Sequence, residues 1–126
     1  MSDQTTNRDR AVDFLQLAAA GSVDEAYARH VAPGFVHHNP WFAADRASLA
    51  AAMAASSRAE PNKSFQVQRV IGDGDVIAVH SRLERVEAGK VYAVVHILRF
   101  EGGRIVELWD VAQEAPQESP NALGMF

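Results

Sequence analysis

The chain has 126 residues, 48% of them hydrophobic and 22% charged, and a formal net charge of −4; that length suits one domain around one core. Its twelve Lys and Arg are scattered without a run, which argues against nucleic-acid binding, and no apolar run approaches the roughly 18–20 residues of a membrane span. There is no cysteine, so disulfides, thiol catalysis and zinc–thiolate sites are excluded.

The start, MSDQTTNRDR, is polar and holds no apolar leader segment, which predicts a cytoplasmic protein. Residues 6–20 then place Val12, Leu15 and Ala19 on one stripe, widened by Phe14 and Leu17, which predicts a helix stopped by Gly21. Ser22 with Glu25 reads as a capping box opening a second helix, and Pro33 follows its end. Phe35 to His38 forms a short extended piece running into the Asn39-Pro40 turn signal. A third helix is predicted over 45–59, before Pro61. Its small side chains fit either close packing on a sheet or a roomy site beneath it.

After Pro61 the period changes to two, and strands are predicted at about 64–71, 75–86, 91–100 and 104–113. The connections GDGD, EAGK and EGGR are short and contain glycine, as an antiparallel meander requires. Helices first and an antiparallel sheet after them is the α+β arrangement, and a twisted sheet wrapped on those helices leaves a concave face. Residues 1–126 are read as one domain, with an irregular tail from about 114 whose apolar end, Met125-Phe126, suggests docking.

Strand alternation singles out polar residues on apolar faces. His80 stands with Val76 and Ala78, His96 with Tyr92, Val94, Leu98 and Phe100, and Asp110 with Val106, Leu108 and Ala112. If both later hairpins use three-residue loops, Glu87-Ala88-Gly89 and Glu101-Gly102-Gly103, then His80, His96 and Leu108 lie opposite one another. The next row is Arg82, Val94 and Asp110, and all three polar candidates share a face; a two-residue loop reverses the alignment.

A carboxylate on an apolar face is costly unless it is hydrogen-bonded, paired or protonated. Enzymes use such sites to prepare a carboxyl group for proton transfer, so Asp110 is the leading acid/base candidate. The structural alternative is an Asp paired with Arg82 or a backbone donor. His80 and His96 are either hydrogen-bonded core residues or site residues. No HExxH-type spacing supports a metal, no GxSxG supports a serine nucleophile, and GDGD precedes no helix that would cradle a phosphate.

GFVHHNP, GDGDVIAVH, HILRFEGGRIVELWDVAQ and the closing PQESPNALGMF together resemble the SnoaL-like polyketide cyclases, within the nuclear transport factor 2-like superfamily. Ketosteroid isomerases and limonene-epoxide hydrolases share that superfamily. The resemblance spans nearly the whole chain and implies a cone: a curved antiparallel sheet around a pocket closed by three helices, usually as a homodimer. It implies cofactor-free, metal-free acid/base chemistry on a small hydrophobic carbonyl compound, by aldol-type cyclisation or isomerisation, with Asp110 as the acid/base. It places His38 and Asn39 at the pocket mouth, so that His38 faces the ligand and His37 faces away. His96 stands where relatives often have Asp, and Leu108 where they often have His, turning EHWD into ELWD.

On this reading Asp110 moves the proton and His38, His80 or His96 bonds the developing enolate oxygen. Tyr92, Val94, Leu98, Phe100, Leu108 and either Trp41 or Phe42 line the apolar body of the pocket. The alternatives are a non-catalytic binder of a hydrophobic ligand and an epoxide hydrolase using Asp110 with Asn39, which would also want an arginine such as Arg82 beside the carboxylate. The second copy of a homodimer is expected on a sheet that is apolar on both faces.

Overall fold

A computed structural model describes residues 3–126, with side chains from residue 7 onward; Met1 and Ser2 of the polar start lie outside it. Three helices, α1 (Asp3–Ala19), α2 (Val23–His30) and α3 (Arg46–Ala59), accompany five strands. The strands are β1 (Val31–His37), β2 (Lys63–Asp73), β3 (Val76–Arg85), β4 (Lys90–Glu101) and β5 (Arg104–Glu114). They form one sheet in the order β1-β5-β4-β3-β2. The sheet curves without closing, and with the helices on its concave face it makes the expected α+β cone.

α1 lays Ala11, Phe14, Leu15 and Ala18 against the inner sheet face, where Ile77, Val79, Leu98, Phe100 and Ile105 are all but fully buried. Burying side chains of this size stabilises the fold by roughly 1.5–3 kcal/mol each. The α1–α2 corner is held by His30, whose Nε2 meets Asp13 Oδ2 at 2.6 Å. α3 begins at Asp45, whose carboxylate accepts the Ser48 amide at 2.9 Å. No described helix is long and apolar enough to cross a membrane.

Four details differ from the sequence reading. Ser22 stands at the start of α2 but its side chain makes no cap bond, and the Glu25 carboxylate pairs with Arg29 one turn on rather than reaching back to the cap. The piece read as Phe35–His38 is a full strand, β1, which pairs parallel to β5 and makes the sheet mixed. Pro33 lies inside β1, which is tolerated because β1 is an edge.

The third difference is register. The β3–β4 connection is a four-residue turn, Val86 to Gly89, closed between Arg85 and Lys90, with Gly89 left-handed at φ 66°. One residue more than expected changes the parity, so Val79 lies opposite His96, and His80 moves to the convex outer face.

The fourth concerns the β4–β5 hairpin, which turns on Gly102 and Gly103 alone, both at positive φ, between Glu101 and Arg104. A bulge past Arg99 inserts one residue in β5 and restores the parity. The net slip is two residues, so His96 faces Asp110 directly and not Leu108. The tail does meet the sheet through its apolar end: Phe126 stacks on His80 at 5.9 Å and lies under the Arg82 guanidinium at 6.0 Å, on the outer face.

Candidate active site

The inner face of β4 and β5 forms the floor of a cavity of about 320 Å³, within the usual range for small-molecule sites. α3 roofs it with Leu49, Ala52, Met53, Ser56 and Ser57, and α1 contributes Leu15, Ala18 and Ala19. The small side chains of α3 therefore leave space beneath the helix, which is the second of the two readings the sequence left open. Phe42, Phe65, Leu83 and Leu108 complete the apolar wall.

Asp110 and Asn39 meet in this wall, the Asn39 amide donating to Asp110 Oδ2 at 3.0 Å. Local structure fixes Asn39 twice over. Its Oδ1 accepts the Trp41 amide at 3.0 Å, and its own backbone N–H donates to His37 Nδ1 at 3.1 Å. Accepting that bond leaves the His37 proton on Nε2, which donates to the Ala43 carbonyl at 2.6 Å. The HHNPW stretch is thus a turn wound around one buried imidazole, and it aims an amide at the carboxylate.

His96 lies across the β4–β5 ladder from Asp110 and also lines the cavity. Its Nδ1 is buried with no partner among the described residues, and Phe65 meets the ring edge-on at 6.2 Å. Burial pushes the imidazole down to about 4, with the Asp110 carboxylate opposing the shift. At neutral pH His96 is consequently uncharged, with one N–H to donate and one lone pair to offer.

Of the other candidates, Leu108 lines the cavity. Leu98 and Phe100 lie in the core cluster and not in the cavity wall. Tyr92 and Val94 share the inner face but stand away from the cavity; the Tyr92 hydroxyl accepts from Arg85 at 3.2 Å. Trp41 is 82% exposed, and its neighbour Phe42 takes the position expected of it. His80 belongs to the outer face, as above.

The assignment of the two adjacent histidines is reversed. His38 points to the outer face, stacked on Trp109 at 4.9 Å with its Nε2 at 2.6 Å from Glu107 Oε2. His37 turns inward, because β1 runs parallel to β5 with His37 level with Leu108. The His38 bond, followed by the Arg99 fork, holds the Glu107 carboxyl below its ordinary range.

Lys63 in the cavity wall was not singled out from the sequence. Alternation with Phe65 two residues on puts it on the inner face, but nothing local separates it from a solvated lysine at a strand start. Among the described residues no group of three His, Asp or Glu converges as a metal site.

A model of the SnoaL-like domain matches residues 11–108. The chain belongs to the SnoaL-like family. Among curated proteins none matches it. Its SnoaL-like cone is shared by solved structures at low identity. A nuclear transport factor 2-like protein of unknown function from Burkholderia xenovorans LB400 is 22% identical, with a TM-score of 0.72 over 92% of this chain and 88% of that one. IdmH from Streptomyces antibioticus, a candidate polyketide cyclase, is 19% identical, with a TM-score of 0.71 over 85% of this chain and 91% of that one. AclR from Streptomyces galilaeus, a candidate hydroxylase, is 21% identical, with a TM-score of 0.64 over 83% and 89%. The likeness shows a shared fold, and a fold of this kind does not by itself name a chemistry.

Proposed function

We propose that this SnoaL-like chain is a cofactor-independent acid/base enzyme acting on a hydrophobic carbonyl compound, with Asp110 as the proton carrier. The observation that carries this reading is the setting of Asp110: a carboxylate in an apolar cavity, with an amide as its partner and an uncharged imidazole facing it. Asn39 occupies Oδ2, which leaves Oδ1 for the substrate. The carboxylate takes a proton from the carbon beside a carbonyl, and the electron pair moves to the carbonyl oxygen. The His96 N–H donates to that oxygen as its charge develops, which is where a preorganised donor contributes most. The enolate carbon then attacks a second carbonyl, closing a ring whose new alkoxide takes the proton back from Asp110; where the enolate is conjugated with a double bond, Asp110 instead returns the proton to the far carbon, completing an isomerisation.

His38 takes no part in this scheme, since it faces away from the cavity. Epoxide hydrolysis lacks its arginine, because Arg82 lies on the outer face, bonded to Glu84 and over Phe126. Proton NMR of hydrophobic ketones in deuterium oxide, 2-tetralone and 2-decanone among them, tests the reading without knowledge of the natural substrate. The enzyme should exchange α-hydrogens well above the buffer rate. Ketones that bind without exchanging would make the protein a ligand-binding domain.

The same reading expects a homodimer formed through the outer sheet face. Ile71 and Val111, 61% and 65% exposed there, support it. Sedimentation equilibrium showing a monomer at all concentrations would remove that expectation.

A further inference from the structure

Lys63 and Asp110 are the charged residues in the cavity wall, and they stand at opposite ends of it. Asp110 lies by the start of α3, since Val36 of β1 bridges to Asp45 and β1 runs beside β5. Lys63 lies by the end of α3, where Glu60 reaches Arg85, the cross-strand neighbour of Lys63. The roof residues Leu49 and Ser56 are seven residues apart, about 10 Å along the helix. Across the sheet, β4 and β3 separate the two charged residues.

Among the described residues the charge of Lys63 is only partly answered. Glu60, the carboxylate that favours its protonated form, is taken by a fork from Arg85 at 2.9 and 2.5 Å. Among the described residues Lys63 forms no ion pair, and its Nζ donates to the Ser56 hydroxyl in the roof. That contact folds the ammonium over the cavity. Arg85, Glu60 and Lys63 thus leave one positive charge at this end, facing a volume walled by Phe65, Leu83 and Met53.

We propose that the cavity takes an elongated hydrophobic molecule bearing a carboxylate at the end remote from its reacting carbonyl, and that Lys63 recognises that carboxylate. The proposal rests on the acid/base reading only for which end reacts. Lys63 would exchange its Ser56 contact for a charge-assisted bond to the anion, with Ser56 and Ser57 offering hydroxyl donors beside it. Partial burial lowers the basicity of Lys63, and an anion beside the ammonium would reverse that effect. The apolar wall between the two ends carries the hydrocarbon body.

Equilibrium dialysis of octanoate and octan-1-ol, at pH 7 and low salt, tests this on the wild type, Lys63→Met and Lys63→Arg. The wild type should bind octanoate more tightly than the alcohol. Lys63→Met should weaken octanoate about tenfold and leave octan-1-ol within about twofold. Lys63→Arg should keep the preference, and added salt should weaken only the anion. No preference in the wild type, no binding of octanoate, or an equal loss for both molecules in Lys63→Met overturns the proposal. No turnover is read, so that result leaves the Asp110 reading standing, and a failure of ketone exchange leaves the anion site standing.

Discussion

The outer face of the sheet and the cavity wall on its inner face use polar side chains in opposite ways. On the outer face they are spent on one another. Arg99 forks onto Glu107 at 3.1 and 3.0 Å, Glu107 also meets His38, His38 stacks on Trp109, and His80 is covered by Arg69 and Phe126. On the inner face they are left in reserve. Asp110 has one amide, His96 keeps a buried nitrogen without a partner, and Lys63 has a hydroxyl. A folded chain rarely leaves such capacity unused in its interior, because desolvation is then uncompensated. Satisfied polar clusters read as structure, and unsatisfied ones facing a cavity read as a place for a ligand.

The comparison breaks most visibly at Asp110. Asp110→Asn keeps the shape and the Asn39 neighbour but removes the base, so ketone exchange should fall by at least about 100-fold. Affinity for the ketone should stay within a few-fold. A parallel loss of affinity would mean that the side chain holds the cavity open and does not carry protons.

His96 gives the next effect, through stability. Its folded-state value of about 4 lies below the ordinary 6.5, so between those limits the unfolded chain binds the extra proton. Stability should therefore rise with pH across that window, by up to about 1.4 kcal/mol per pH unit. In denaturant unfolding, the stability of the wild type relative to His96→Phe should rise with pH from about 4 to 6.5 and level off above that. Parallel curves would show that the imidazole is not desolvated.

Asn39→Ala should lower exchange about tenfold, by freeing the carboxylate from its aimed position. His37→Ala should act through the same turn, and both variants should spare the fold by thermal melting. The smallest effect belongs to Ser81, whose hydroxyl is buried on the inner face without a partner among the described residues, yet does not line the cavity. Ser81→Ala should leave exchange unchanged and alter stability by less than about 1 kcal/mol, in the stabilising direction.

Much of this was legible in the sequence. Three helices before an antiparallel meander, Asp110 and His96 on one face, and Asn39 near the pocket all follow from period, turn residues and a family resemblance. What failed did so at single-residue resolution. Val86 joins the turn after β3 and does not pair, and that one residue sends His80 outward. Nothing in VEAG distinguishes the two outcomes locally, because both place Gly89 at positive φ. The second hairpin came out on the correct face because a bulge in β5 compensated for a shorter turn. His37 and His38 were exchanged for a related reason: alternation says that neighbours face opposite ways, and only the parallel pairing with β5 says which goes in. Lys63 was passed over because a lysine at a strand start resembles any solvated lysine until the fold sets it beneath Ser56.

The most direct test compares two carboxylates three residues apart on β5, one on each face. Exchange of one ketone should be measured with the wild type, Asp110→Asn and Glu107→Gln. The account predicts a loss of at least about 100-fold for Asp110→Asn and a rate within about twofold of wild type for Glu107→Gln, whose ion pairs are structural. Equal losses in the two variants, or a loss confined to Glu107→Gln, would contradict the assignment of the chemistry to the inner face.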